Sequence, residues 1–392
     1  MSTLATLLKA LLIAPLVILL MTGCASTPLA PPVPTHLFSD TGFAVASERV
    51  QADDLFAVSP AMRTYLNSPA FLAQLHTKGL EQGLVDALYQ KGELMLEYNS
   101  AMTRNAAQTF QARTGDCLSL VIMTAAFAKE LGLNVNYQGV VVDDSWRRAG
   151  GLYLGSNHVN LSLGKRPSSN LPSAAAQRRL TIDFLPSELM AGYRTYPIEE
   201  DAIVAMYMNN RAVESLLQNR IDNAYWWARA AVSHNPAFTN AYNTLAVVYQ
   251  RHGDMQMAER TFRAALAREP ENVAVMQNLA PLLAALGKND ESVALAKRVA
   301  GIEPHPPFHF FNLGMQAMER HDYPAAKTLF EREVARAPYY DEFHFWLGMA
   351  WLRLGETAQA RKQVALALAS STSRDAHALY SAKLAHLRAQ AR

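Results

Sequence analysis

Three residues of this chain have the side chains that cleave amide bonds: Cys117, His158 and Asp183. A thiol attacks a carbonyl once its proton is gone. A histidine can take that proton and return it to a leaving group, and a carboxylate behind the ring fixes its tautomer and stabilises the imidazolium. Cys117 is one of two cysteines in the chain, the other being Cys24. Histidines number 11, so order and setting must carry the argument for His158. Competing chemistries lack their signatures: there is no HExxH, no CxxC and no paired-His helix to converge three metal ligands. No glycine-rich phosphate loop is found either, so neither a metal nor another cofactor is expected.

The elements around these residues suit such chemistry. Thr114-Gly115-Asp116 reads as a turn with capping side chains, and Leu118 to Leu131 is strongly helix-forming, with Gly132 as its stop. Cys117 then sits in the first turn of a helix, where free N–H groups and the helix dipole stabilise a thiolate and can later face an oxyanion. The helix is apolar almost all round, which predicts a central core helix that fixes the nucleophile. Beyond it the pattern turns to strands: Val135 to Val142, His158 to Leu163 and Leu180 to Phe184. Antiparallel pairing of the last two would bring His158 to Asp183. Residues 40–100 read as mostly helical, with Asp53, Asp54 and Ser59-Pro60 as turn or cap signals.

Arg113-Thr114-Gly115-Asp116-Cys117-Leu118-Ser119, Ser156-Asn157-His158-Val159-Asn160 and Ile182-Asp183-Phe184 resemble the bacterial transglutaminase-like superfamily. That superfamily has a papain-like α+β core and includes cysteine peptidases, amidases and true transglutaminases. The resemblance covers roughly residues 85–190 and implies Cys117 as nucleophile, His158 as general base and acid, and Asp183 as orienter. It also makes Gln111, six residues before the cysteine, the oxyanion-hole candidate by its similarity to papain's spacing, with a solvated loop glutamine as the plainer alternative. Hydrolysis is expected over cross-linking, because water is the default acceptor. The Ser-, Pro- and Ala-rich segment between Gly164 and Arg179 is a long connection, readable as an insertion or a lid.

The second half is periodic. Pro236, Pro270, Pro304 and Pro338 are each 34 residues apart, the period of the tetratricopeptide repeat, a pair of antiparallel helices. Repeats starting at Thr239 carry Tyr242, Leu245, Ala246, Tyr249, Ala258, Phe262 and Ala265 in register, and later units keep the pattern. Five units are expected over 205–374, the first degenerate, with a capping helix over 375–392. Such solenoids resemble adaptors that bind extended peptides. Their sixth positions here are Asn210, Thr244, Asn278, Asn312 and Trp346. Asparagine bonds both N–H and C=O of a passing backbone, so Asn210, Asn278 and Asn312 read as a peptide ladder, with Phe308, Phe311 and Phe345 as apolar contacts. A solvated polar row is the plainer alternative.

The N-terminus indicates where the chain works. Lys9 precedes the apolar run Ala10 to Met21, too short to span a bilayer comfortably and suited to a signal peptide over 1–23. Met21-Thr22-Gly23-Cys24 resembles a bacterial lipobox, which implies lipidation of Cys24. Ala25-Ser26 in place of an aspartate implies sorting to the outer membrane, facing the periplasm. Residues 24–38 hold Pro28, Pro31, Pro32 and Pro34 and read as an extended tether reaching some ~40 Å at ~3.1 Å per residue. With Cys24 lipidated, Cys117 is the sole thiol of an exported chain, and no intramolecular disulfide is possible. A net charge of +2 argues against nucleic acid as a main partner.

The expected architecture is therefore an α+β transglutaminase-like domain over 39–200, followed by an all-α solenoid. Two functions stay open. One is a lipid-anchored thiol amide hydrolase whose repeats recruit a protein or peptide substrate; the other is an inactive lipid-anchored scaffold.

Overall fold

Serine–proline pairs start the helices that lead to the site. The Ser59 and Ser68 hydroxyls accept hydrogen bonds from the N–H groups of Met62 and Phe71 at 3.2 and 3.3 Å, and the following prolines need no partner at the first helical position. The computed structural model describes residues 31–89, 94, 96–98, 102–141, 146–149, 152–155, 158–164, 179–184, 194–305, 308–338, 340–371 and 374–389. The signal sequence, Cys24, Ser156-Asn157 and residues 165–178 lie outside these.

Helices α1 (Pro60–Leu66), α2 (Pro69–Lys78) and α3 (Leu80–Tyr89) bury Met62, Phe71, Leu84 and Leu88 in the main core. Strand β1 (Glu97–Tyr98) pairs in parallel with β2 (Thr114–Gly115). Between them Asn105 and Gln108 form a capping box at the start of α4 (Ala106–Ala112). Helix α5 (Cys117–Glu130) is buried from Cys117 to Ala128 and is the central helix; it stops at Gly132, whose φ is +74°.

The sheet follows. Strand β3 (Asn134–Val141) is succeeded by a hairpin of β4 (Trp146–Ala149) and β5 (Leu152–Gly155), then by β6 (His158–Gly164), β7 (Leu180–Ile182) and β8 (Arg194–Ile198). The main sheet has the order β7-β6-β3-β8 with antiparallel neighbours, in the register Val140↔His158 and Leu161↔Ile182. The hairpin and β8 have no counterpart among the expected strands. Val159, Leu161 and Leu163 alternate with His158, Asn160 and Ser162, and both sets are buried.

The C-terminal half is a helical tetratricopeptide-repeat solenoid. Its pairs are α6 (Glu200–Leu217) with α7 (Ile221–His234), α8 (Thr239–His252) with α9 (Met255–Arg268), and α10 (Val273–Ala285) with α11 (Asn289–Ile302). Two more pairs follow, α12 (His309–Glu319) with α13 (Tyr323–Arg336) and α14 (Asp341–Arg353) with α15 (Thr357–Ser370), and α16 (Arg374–Ala389) closes the series. Small residues allow the partners to approach: a Cβ on Gly314 would lie 2.6 Å from the Phe330 ring. Ala246, Ala258 and Ala265 are fully buried for the same reason.

The end of the expected tether is not free. Pro34 to Glu48 forms a strap on the first repeats, with Leu37 fully buried and the Phe43 ring stacked on Tyr225 at 3.9 Å. The Tyr249 hydroxyl donates to the Leu37 carbonyl at 2.7 Å, Trp226 Nε1 donates to the Ala44 carbonyl at 2.7 Å, and Arg229 pairs with Asp40. A strap with few backbone partners of its own gains them from these side chains. The boundary drawn near residue 200 is not a gap either: Pro34 to Arg392 is one compact unit, and Glu200 at the head of α6 takes the Lys129 ammonium and the Tyr137 hydroxyl.

Replacing Phe43 by alanine removes a buried ring from this seam and is expected to cost about 3 kcal/mol. Urea denaturation measures it; an unchanged midpoint means the strap does not hold the repeats.

Candidate active site

The site begins with a helix cap. Asp116 precedes Cys117, and its carboxylate accepts the Ser119 N–H at 2.8 Å and the Ser119 hydroxyl, while Thr103 Oγ1 donates to its other oxygen at 2.6 Å. Gly115 is required just before it, because a Cβ there would lie 2.6 Å from Ser119 Cβ. These contacts set Cys117 at the first position of α5, buried, with the backbone N–H groups of Cys117 and Leu118 opening the helix.

His158 starts β6 and is 5% exposed. Its Nε2 lies 2.8 and 3.0 Å from the two Asp183 oxygens, and Cys117 is near enough to the ring to influence its titration. Asp183 directly follows β7, and the antiparallel β6–β7 pairing is what places it there. The structure thus brings Cys117, His158 and Asp183 together in that order.

Two further residues hold Asp183, one at its carboxylate and one at its backbone. Asn160 Nδ2 donates to Asp183 Oδ2 at 2.8 Å, and the Tyr89 hydroxyl donates to the Asp183 carbonyl at 2.7 Å. Asn160 shares a strand face with His158, so strand alternation was signal enough to find it. Tyr89 reaches from α3, 94 residues away, and no local pattern marks it.

Burial works against a charged ring at His158. The hydrogen bond to Asp183 and the charge of its carboxylate, together with the nearby Cys117, outweigh it and raise the His158 pKa from 6.5 to about 10. The raised value favours the imidazolium, whose Nε2–H donates to the carboxylate. That arrangement can deliver a proton to a leaving group as well as hold a thiolate.

Other expected site residues lie elsewhere. Gln111 is exposed in the last turn of α4, pointing to solvent instead of into the site. Asn210 donates to Thr103 Oγ1 at 3.1 Å and belongs to the contact between α6 and the Cys117 cap, not to a groove. Asn278 is buried and donates to Asn243 at 3.0 Å, so its amide is used within the solenoid. Phe308 and Phe311 are core residues, 2% and 4% exposed, packed edge-on or tilted against Phe343. Asn312 is half-exposed on α12, and Phe345 is half-buried in a cavity it lines with Met318 and Trp346. The asparagine ladder is therefore broken: the inner faces of the first repeats are occupied by the protein itself. Among the described residues no group of three or more His, Cys, Asp or Glu side chains could hold a metal ion.

A family model described as the tetratricopeptide repeat matches residues 243–306 and 311–381, C-terminal to the Cys117 site. No curated protein matches the chain. Among solved structures it is similar to TTC0263, a thermophilic TPR protein of Thermus thermophilus, at 19% identity over 46% of this chain and 98% of that one, with a TM-score of 0.31. It is also similar to pilF of Pseudomonas aeruginosa, at 20% identity over 48% and 94% of the two chains and a TM-score of 0.28. A third is YrrB, a TPR protein with an unusual peptide-binding site, at 18% identity over 46% and 92% and a TM-score of 0.25.

The raised His158 pKa makes a stability prediction. Folding gains from the charged ring in full below its unfolded value of 6.5 and loses that gain as pH rises through about 10. Urea midpoints of the wild type should therefore fall across that window, while Asp183→Asn should give a flatter profile. Parallel profiles would mean that the ring and the carboxylate are not paired in solution.

Proposed function

We propose that the protein is a thiol-dependent amide-bond hydrolase of the transglutaminase-like, papain-like type, anchored by a lipid in the bacterial envelope. The observation that carries this reading is one buried imidazole bonded to Asp183, with Cys117 near enough to raise its pKa. The Cys117 thiolate adds to the substrate carbonyl, and the charge on the carbonyl oxygen faces the N–H groups of Cys117 and Leu118. The His158 imidazolium gives its proton to the amide nitrogen, the C–N bond breaks, and an acyl thioester remains. Neutral His158 then takes a proton from water, whose oxygen attacks the thioester, and returns it to the leaving sulfur. Asp183 stays ionised throughout, its carboxylate steadied by Asn160 and its backbone carbonyl held by Tyr89. The solenoid recruits the protein or peptide substrate.

Iodoacetamide tests the thiol. Cys117 should alkylate at mildly acidic pH, where an ordinary thiol is inert, and His158→Ala should slow the reaction steeply. Asp183→Ala should slow it less, because it only loosens the ring. A thiol unreactive below neutral pH, indifferent to His158→Ala, would leave the inactive scaffold as the function.

The anchor reading rests on the lipobox and gives an outer-membrane protein facing the periplasm, with residues 25–33 as the tether ahead of the docked strap. Intact-mass analysis of membrane extracts should find a diacyl or triacyl adduct on a chain starting at Cys24. Unchanged processing and membrane fractionation of Cys24→Ser would sink the assignment.

A further inference from the structure

The solenoid is unevenly used. On α8 every residue from Ala241 to Tyr249 is buried, and on α10 the backbone of β5 lies alongside the helix. These inner surfaces serve the protein's own fold. Beyond α11 the situation changes. Met318 on α12 and Phe345, Trp346, Met349 and Leu352 on α14 are only half-buried, and together they form the floor of a cavity of about 560 Å³. Phe345 stacks on Tyr380 of α16 at 5.0 Å and meets Trp346 edge-on at 5.7 Å, so the floor is a fixed aromatic platform bordered by two adaptable methionines.

One end of this cavity is basic. Arg353, Lys383 and His386 line it beside the apolar floor. Among the described residues neither Arg353 nor Lys383 has a carboxylate within ion-pair distance; the Arg353 guanidinium sits 5.9 Å from the Tyr323 ring. The opposite end of α14 is acidic, with Asp341 and Glu342 in its first turn, about 18 Å from Arg353 at 1.5 Å per residue. The groove therefore has a direction.

We propose that the groove between α12, α14 and α16 binds an extended peptide that places apolar side chains on the Met–Trp–Phe floor and acidic residues at Arg353 and Lys383. A basic or neutral peptide would leave two cations at the edge of an apolar cavity uncompensated. This reading concerns the recruiting role of the repeats and does not require Cys117 to be catalytic.

The test uses the full mature chain in detergent carrying Cys117→Ser, which stops turnover, so a failure of binding is separate from a failure of catalysis. Three fluorescein-labelled ten-residue peptides, Gly/Ser-rich and ending in Leu-Met-Glu-Glu, Leu-Met-Gln-Gln-amide or Leu-Met-Lys-Lys-amide, are compared by anisotropy. The acidic peptide should bind saturably and roughly tenfold or more tighter than the neutral one, and the basic peptide should bind worst. Reversing both cations (Arg353→Glu with Lys383→Glu) sits on the surface, should leave the fold intact, and should turn the preference toward the basic peptide. Trp346→Ala should weaken all three. Equal affinities, no binding of the acidic peptide up to millimolar concentration, or a preference untouched by the double reversal would overturn the proposal. A concentration-dependent dimer abolished by Trp346→Ala would overturn it too, by giving the groove to a second copy of the chain.

Discussion

A carboxylate that starts a buried helix is stable only if donors surround it, and the structure is organised around this demand at Asp116. Its two oxygens take Ser119 and Thr103. Thr103 is in turn held by α6, the first helix of the solenoid: its N–H donates to Glu214 at 2.6 Å, and its hydroxyl accepts from Asn210. Burial raises the Glu214 pKa, the Asp116 charge adds to this, and the Thr103 N–H and Arg211 oppose it. The cap that orients Cys117 thus ends in the repeat array. For this reason the two halves pack as one unit, and the proposed nucleophile depends on residues about 100 positions away in the chain.

The second carboxylate, Asp183, has a different task. It meets a ring instead of a helix end, and both side chains on its oxygens, His158 and Asn160, come from β6, while Tyr89 of α3 holds the backbone carbonyl of the same residue. Donors on a carboxylate favour its charged form, and a charged carboxylate favours the imidazolium. Each carboxylate therefore serves one partner of the pair, Asp116 by placing the sulfur and Asp183 by charging the ring.

Much of this was legible in the sequence. Asp116 as a cap, α5 as a buried helix, and the pairing strands that start at His158 and end beside Asp183 followed from capping chemistry and from the change of period from helix to strand. The 34-residue spacing of prolines made the solenoid plain. What escaped was long-range. The strap and β8 contribute pairing and side-chain contacts whose partners lie far along the chain, so no local period marks them. Phe308 and Phe311 show a second limit. A repeat template puts them near the groove, but φ of +64° at Phe308 and its contacts with Tyr340 and Phe343 turn both rings into the core. Asn210 and Asn278 failed as ladder residues because another part of the same chain reached their amides first.

That competition explains the division of labour along the solenoid. A repeat array has a surface on every unit, and a surface built of Tyr, Val and Leu costs free energy if water covers it. In the first repeats the strap and the sheet domain cover it, and burial there reaches all round α8. From α12 onward neither the strap nor the sheet supplies such cover among the described residues, and the residues change with it: methionine, tryptophan and phenylalanine at partial exposure, with arginine and lysine at the rim. Side chains that tolerate both water and contact are what an intermittently filled site requires. The array is thus covered where it supports Cys117 and half-exposed where the proposed peptide would lie.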